Sequence, residues 1–499
     1  MSDAAGSIAL RFFEGALWIA ARNLLQVALS LVALTVVARE LGPSTYGLFG
    51  VAMLVYGIAE MACGGAFTDS IVQRKQIEPG HLDATFWLTA ALSGLASSLM
   101  VAFSTALATL AGHAQAADIV VALGALLPFA VAARVPMALL ARDLQFKAVA
   151  QIGAAATIAS CTLGIALALE GAGIWTLVAM EALRVAVTLI GAHLAVAWRP
   201  GWRGRWQHLR DLWRFNAGVL LTYSIGYADQ YLPRLLVSHL LGPQVLGIFM
   251  LATRVYGELS RLLMEPLHGV AMSTCARLQD AAADMRRSIL GLYGASRLVV
   301  FPVYLGMAAV APWWLPLLFG ERWLEAVPAV QLLMLGSVRA ATGAYNSAIL
   351  LGTGHVRATA LLFAAGCAAS LLAFPLLAPW GVIGAAVALL LRQFGTWPLA
   401  LHRIRIATGL SPSDQLSGTF APLAAAASAA ASIGFLTHLL DAPLTPIPAS
   451  LVAILAGALV YGGVLHLLAP GTLRQVRALL LAFARRDRAQ IETLLARPA

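Results

Sequence analysis

The chain has 499 residues, 60% of them apolar and only 11% charged, where a soluble globular protein carries roughly 25% charged residues. A soluble chain of this length would need two or three domains, since a single core stops growing at about 250–300 residues, and so few charges cannot cover their surfaces. The formal net charge of +10, from 33 basic and 23 acidic residues, points in so apolar a chain to loops facing anionic membrane lipid and not to nucleic acid.

In chain order, the apolar stretches predict an all-α polytopic membrane protein with fourteen transmembrane helices, at about 15–38, 46–67, 84–111, 117–141, 147–169, 173–197, 215–240, 245–271, 288–311, 326–352, 356–378, 382–403, 416–440 and 447–469. Helices of about 22–28 residues cross a hydrocarbon core of about 30 Å with some tilt. Residues 1–15 hold no short apolar core followed by a small-residue cleavage site, so the first span is expected to be retained and not removed as a signal peptide.

Loop charges check this count, because an error of one span would scramble their alternation. One set of loops carries Arg74, Lys75, Arg142, Lys147, the arginines from Arg199 to Arg214, Arg277, Arg286, Arg287, Arg357, Arg403 and Arg405, whereas the other carries only Arg39 and Arg322. By the positive-inside rule the basic set is cytoplasmic, and both termini, with Arg11 at one end and Arg474 to Arg497 at the other, fall on that side. The outer loops are short, the longest running from Pro312 to Glu325. That argues against a membrane glycan polymerase or ligase, which would need a large outer loop for its chemistry.

Residues Leu41-Gly42-Pro43-Ser44-Thr45-Tyr46-Gly47-Leu48-Phe49 return 200 residues later as Leu241-Gly242-Pro243-Gln244-Val245-Leu246-Gly247-Ile248-Phe249. Each copy joins the first two spans of a six-span unit. Six crossings is an even number, so the copies share one orientation and imply parallel repeats. The expected organisation is an N-terminal six-helix lobe at 1–197, a basic cytoplasmic linker at 198–214, a C-terminal six-helix lobe at 215–403, two last transmembrane helices at 404–469 and a cytoplasmic amphipathic tail at 470–499. The linker holds Trp202, Trp206 and Trp213 among its arginines, a composition suited to lipid headgroups.

Nothing in the sequence has the pattern of an enzyme, a metal centre or a cofactor site. The ten histidines form no HExxH, Gly352-Thr353-Gly354 belongs to no phosphate-binding motif, and the four cysteines lie about a hundred residues apart. The informative residues are charges well inside the spans: Arg22, Arg134, Arg184, Arg234, Arg254, Arg261, Arg297, Arg339 and Arg392, against Glu60, Glu181, Asp229, Glu258 and Glu265. At bilayer depth each costs at least about 2.5–3.5 kcal/mol on insertion scales, so it faces protein or a wet cavity. Arg22, Arg134 and Arg234 lie near helix ends and can snorkel. Glu181 and Arg184 are spaced for an ion pair or for a ligand. Arg254, Glu258, Arg261 and Glu265 share one helix face, suited equally to self-pairing. Arg297, Arg339 and Arg392 have no acid at helical spacing in their own spans and are the prime candidates for an anionic ligand, with Arg254, Arg261 and Arg22 beside them. Asp229 and Glu258, in adjacent spans, are the candidates for coupling to a proton or sodium gradient.

The first span ends in Ala38-Arg39-x-Leu41-Gly42-Pro43-x-x-Tyr46-Gly47. Ile71-Val72-Gln73-Arg74-Lys75, Phe86-Trp87, then Leu144, Phe146, Lys147, Gly171, Gly173, Trp175 and Phe319-Gly320-Glu321-Arg322-Trp323 follow in order. In these residues, over essentially its whole length, the chain resembles the polysaccharide transporter family, the Wzx-type oligosaccharide flippases of the multidrug/oligosaccharidyl-lipid/polysaccharide exporter superfamily. Arg22-Asn23 departs from the family pattern. The resemblance implies a carrier that moves an undecaprenyl-diphosphate-linked oligosaccharide across a bacterial inner membrane, with a polysaccharide polymerase and co-polymerase as partners and no cofactor. The alternatives are a drug or small-solute exporter of the same superfamily and, from another class, a membrane glycan polymerase or ligase.

Overall fold

The computed structural model describes residues 2–65, 68, 71–72, 77–277, 281–343, 345–440 and 446–471, and among them every regular element is helical. A chain in lipid must bond each backbone N–H and C=O internally, and apolar runs near 20 residues do so as helices. In order these are α1 (Ser2–Glu60), a π-helical turn (Met61–Gly65), α2 (Pro79–Ala102), α3 (Ser104–Leu110), α4 (Ala117–Ala132), α5 (Arg134–Arg142), α6 (Phe146–Leu169), α7 (Trp175–Ala195) and α8 (Trp206–Arg277). There follow α9 (Ala282–Phe319), α10 (Ala326–Leu335), α11 (Ser337–Gly343), α12 (Asn346–Gly352), α13 (Val356–Leu377), α14 (Gly381–Thr408), α15 (Pro412–Leu416), α16 (Phe420–Leu440) and α17 (Pro446–Leu468).

Among the described residues, ten stretches are long and apolar enough to cross a membrane by length and composition, fewer than the fourteen spans read from the sequence. Three of the ten, Ala28–Gly64, Ser224–Met264 and Val356–Thr408, run through two expected spans each. The expected span at 326–352 is instead broken into α10, α11 and α12, each too short to cross alone. Leu110, Leu194, Leu372, Leu376 and Leu459 stand exposed on the outside of their helices. Lipid, unlike water, accepts such a surface without penalty.

The long helices α1 and α8 are not continuous. Each is interrupted at the repeated Leu-Gly-Pro turn, where Gly42 has φ 72° and ψ 171° and Gly242 has φ 87° and ψ 174°. Only glycine holds these angles without strain, and the proline that follows starts the next helix where a missing N–H costs nothing. Gly47 and Gly247 are required for a different reason. A Cβ on Gly47 would lie 1.7 Å from the Pro243 carbonyl oxygen, and one on Gly247 would lie 2.0 Å from that of Pro43.

By packing, the chain divides into two compact units, Met1–Leu220 with Gly242–Gly247, and Leu221–Leu241 with Ile248–Ala499. In the first, α6 packs on α7, α2 on α4, and α1 on both α4 and α6. In the second, α13 packs on α14, α10 on α14, α9 on α16, and α16 on α17. The basic linker 198–214 falls in the first unit and the last two helices in the second. The tail expected to form an amphipathic helix lies, from residue 472 onward, outside the described residues.

Candidate functional site

In the second unit, α8, α13 and α14 bring together Asp229, Gly366 and Arg392. Arg392 Nε donates to Asp229 Oδ1 at 3.2 Å, and its NH2 donates to Oδ2, a two-pronged charge-assisted pair. Both side chains are largely buried. Gly366 makes the pair fit, since a Cβ there would stand 2.1 Å from Asp229 Oδ1 and 3.3 Å from Arg392 Nε.

Arg339 has a different environment. It sits on α11, where the broken stretch α10–α12 turns aside, and its NH1 lies over Gly343, 1.6 Å from where a Cβ would be. Its Nε is buried with no hydrogen-bond partner among the described residues. The side chains that act on it electrostatically are Tyr256, Tyr293 and a second cation, Arg392; no carboxylate is among them.

Arg297 is only 3% exposed; two of its guanidinium nitrogens are engaged, and its Nε, like that of Arg339, is buried with no hydrogen-bond partner among the described residues. NH1 donates to the Ser417 carbonyl and NH2 to that of Gln415, at the C-terminal end of α15, where free carbonyls and the helix dipole favour a cation. The Tyr293 ring lies 5.7 Å from its guanidinium carbon. Along α8, Arg261 pairs with Glu258 at 2.7 Å, while Arg254 and Arg261 are both exposed. The side chains of Arg22 and Glu265 lie outside the described residues.

Sequence reasoning missed the tyrosines that line this part of the second unit. The Tyr256 and Tyr304 rings meet edge-on at 5.4 Å, Tyr304 OH is 2.6 Å from Ser260 Oγ, Tyr293 OH donates to Asn346 Oδ1 at 3.3 Å, and Tyr345 bonds Ser296. Tyr293 and Tyr304 stand three turns apart on α9, a spacing that could have marked one helix face, whereas Tyr256 on α8 and Tyr345 in the turn before α12 reach the same place only through the fold.

The first unit holds its charges as pairs. Arg134 NH2 donates to Glu60 Oε1 at 2.9 Å, which takes Arg134 out of the snorkelling role its position suggested. Arg184 bonds both oxygens of Glu181, from Nε at 2.8 Å and from NH2. The linker is strapped to the start of α2 by Asp83, a buried carboxylate that accepts from Trp198 Nε1 at 3.2 Å, Gly201 N–H at 3.1 Å and Arg203 N–H at 3.2 Å. Trp87 donates to the Gly201 carbonyl at 2.8 Å and stacks on Trp202 at 4.2 Å. Nearby, Glu78, His81 and His208 gather at metal-ligand distances. Each imidazole Nδ1, however, accepts a backbone N–H, from Glu78 and from Arg205, so a neutral ring carries its proton on Nε2 and turns no lone pair toward a metal.

Residues 36–328 match the model of a family described as "Polysaccharide biosynthesis protein". The lipopolysaccharide biosynthesis protein WzxC of Escherichia coli (strain K12) is 25% identical over 357 residues, which cover 70% of this chain and 72% of that protein. The succinoglycan biosynthesis transport protein ExoT of Rhizobium meliloti (strain 1021) is 24% identical over 307 residues, 62% of each chain. Among solved structures, the lipid II flippase MurJ in an inward closed conformation superposes with a TM-score of 0.71 at 11% identity, covering 90% of this chain and 98% of that one, and shares its fold.

Proposed function

Since the chain belongs to the polysaccharide biosynthesis protein family, we propose that it is a flippase. It moves an undecaprenyl-diphosphate-linked oligosaccharide from the cytoplasmic to the periplasmic leaflet of a bacterial inner membrane by alternating access, for exopolysaccharide, capsule or O-antigen assembly. It is a carrier and not an enzyme, with both termini cytoplasmic, and it hands its cargo to a polysaccharide polymerase with its co-polymerase. The relatives named for lipopolysaccharide and succinoglycan biosynthesis support this reading.

Arg339 is the observation that carries it. Among the described residues the Arg339 Nε is buried without a hydrogen-bond partner and no acid acts on the guanidinium, which suits an unfilled anion site, because a buried charge is costly until something pairs with it. A lipid diphosphate supplies the missing charge and the acceptors for a planar, many-donor group. Arg392 acts on the same site but is held by Asp229. Neutralising Asp229 with a proton, or drawing it to sodium, releases Arg392 to the diphosphate and ties transport to an ion gradient. Glu258, paired with Arg261, is the second coupling acid. Arg254, Arg261, Arg297 and Arg22 make up the remaining cationic set.

The test is reconstitution in vesicles with lipid-linked glycan. The protein should bring the glycolipid to the opposite leaflet unchanged, and Arg339→Ala should cut the rate by about tenfold or more at normal protein level. A lengthened glycan would mean a polymerase, and wild-type flipping by Arg339→Ala would remove the diphosphate assignment.

A further inference from the structure

The first unit carries a polar cluster that the diphosphate leaves unused. Tyr56 and Glu60 lie one helical turn apart in the second half of α1, Arg134 opens α5, and Glu181 with Arg184 stands on α7. All four charged groups act electrostatically on the Tyr56 hydroxyl. Tyr56 is only 1% exposed, yet its hydroxyl has no hydrogen-bond partner among the described residues, and the buried Arg134 Nε has none either. Just past Glu60 the backbone opens into the π-helical turn Met61–Gly65, a departure from regular helix that is frequent at functional sites. There Gly64 leaves room for the Arg134 stem, whose Cδ is 2.6 Å from where a Cβ would be.

Two features separate this cluster from a closed network of ion pairs. A closed network leaves no buried donor idle, whereas here two are idle. The charges also cancel, two carboxylates against two guanidiniums, so the cluster favours neither an anion nor a cation. A neutral polyhydroxyl ligand fits both features. Its hydroxyl oxygens accept from Tyr56 O–H and Arg134 Nε–H, and its hydroxyl protons go to the free lone pairs of Glu60 and Glu181. The parts that stay accessible agree with this: the Arg184 side chain is 47% exposed, and those of Arg134 and Glu60 are 28% and 25%.

We propose that the Tyr56, Glu60, Arg134, Glu181 and Arg184 cluster is a carbohydrate-binding site that takes hydroxyls of the transported glycan. The site rests on the flippase reading and differs in ligand chemistry from the diphosphate site at Arg339. It makes the first unit the part that senses the sugar.

Two lipids separate the assignments in binding measurements on the full-length purified protein: undecaprenyl diphosphate carrying its oligosaccharide, and sugar-free undecaprenyl diphosphate. Tyr56→Phe removes one hydroxyl and keeps the ring, so it should weaken binding of the glycan-bearing lipid by about fivefold to tenfold and leave the sugar-free lipid unchanged. Glu60→Gln, which preserves shape, should show the same selectivity, and Arg339→Ala should weaken both lipids. The proposal is overturned if Tyr56→Phe and Glu60→Gln bind both lipids as the wild type does, or weaken both equally. If the wild type binds neither lipid, the flippase reading itself fails, and that outcome is distinct from a loss of selectivity.

Discussion

Replacing Gly366 by alanine should damage the second unit through one contact. The added Cβ would stand 2.1 Å from Asp229 Oδ1, more than 1 Å inside the 3.4 Å at which ordinary contacts begin, and 3.3 Å from Arg392 Nε. The carboxylate has to yield, and on doing so it loses at least one of its two bonds to Arg392. A hydrogen bond to a charged group is worth about 1.5–3 kcal/mol, and forced overpacking costs a similar amount, so a loss of about 2–4 kcal/mol is expected. Thermal unfolding of the detergent-purified protein reads it. The decisive control is the double variant: with Asp229→Ala in place the colliding atom is gone, and the alanine at 366 should cost under about 1 kcal/mol. An equal cost in both backgrounds, or none in the wild type, would refute the reasoning.

Arg297→Ala removes both donors to the Ser417 and Gln415 carbonyls, so it should destabilise the protein by about 3 kcal/mol or more and lower its level in the membrane, unlike Arg339→Ala. Asp83→Ala frees the linker from three bonds, and trypsin cleavage after Arg203 or Arg205 should speed up by on the order of tenfold; an unchanged rate would mean that the tryptophan stack alone holds the strap. Reporter fusions at Ala499 should read as cytoplasmic, and fusions in the loop from Gly112 to Gln115 as outside. Cytoplasmic signal from that loop would sink the fourteen-span count. Asp229→Asn and Glu258→Gln should each flatten the response of flipping to an imposed pH or sodium gradient, and a wild-type response from both would end their coupling role.

What the sequence made legible follows the range of the interactions involved. A membrane helix declares itself in about 20 contiguous residues, and an ion pair at i,i+3 in four, so the all-helical fold could be read directly, and the pairs Glu181–Arg184 and Glu258–Arg261 were among the readings that the spacing left open. The Leu-Gly-Pro turns were legible because only glycine takes the angles of Gly42 and Gly242. Asp229 and Arg392 are 163 residues apart, Glu60 and Arg134 are 74, and Arg297 reaches carbonyls 118 and 120 residues away. No periodicity reports such partners. Three arginines that look alike in sequence, each mid-span without a nearby acid, therefore differ in the folded chain: one bonds the carbonyls at a helix end, one is paired across helices, and one has no acid partner among the described residues. Gly366 was invisible for the same reason, since a glycine in a membrane helix signals nothing until its neighbours are known.

That difference orders the chemistry of the second unit. While Asp229 is charged, Arg392 is taken, which leaves Arg339 without an acid partner among the described residues. On the proposed flippase reading, a diphosphate carries more charge than Arg339 alone offsets, so it should bind better once Asp229 is neutralised and Arg392 is released. Linkage then runs both ways: whatever factor the ion adds to the affinity for the diphosphate, the diphosphate adds to the affinity for the ion. A salt bridge of this kind would be a poor investment if stability were its only role, because a buried pair seldom outperforms well-packed apolar residues. Its position beside Arg339 gives it a reason to be there under the proposed mechanism, in which one group is shared by the anionic cargo and the coupling ion.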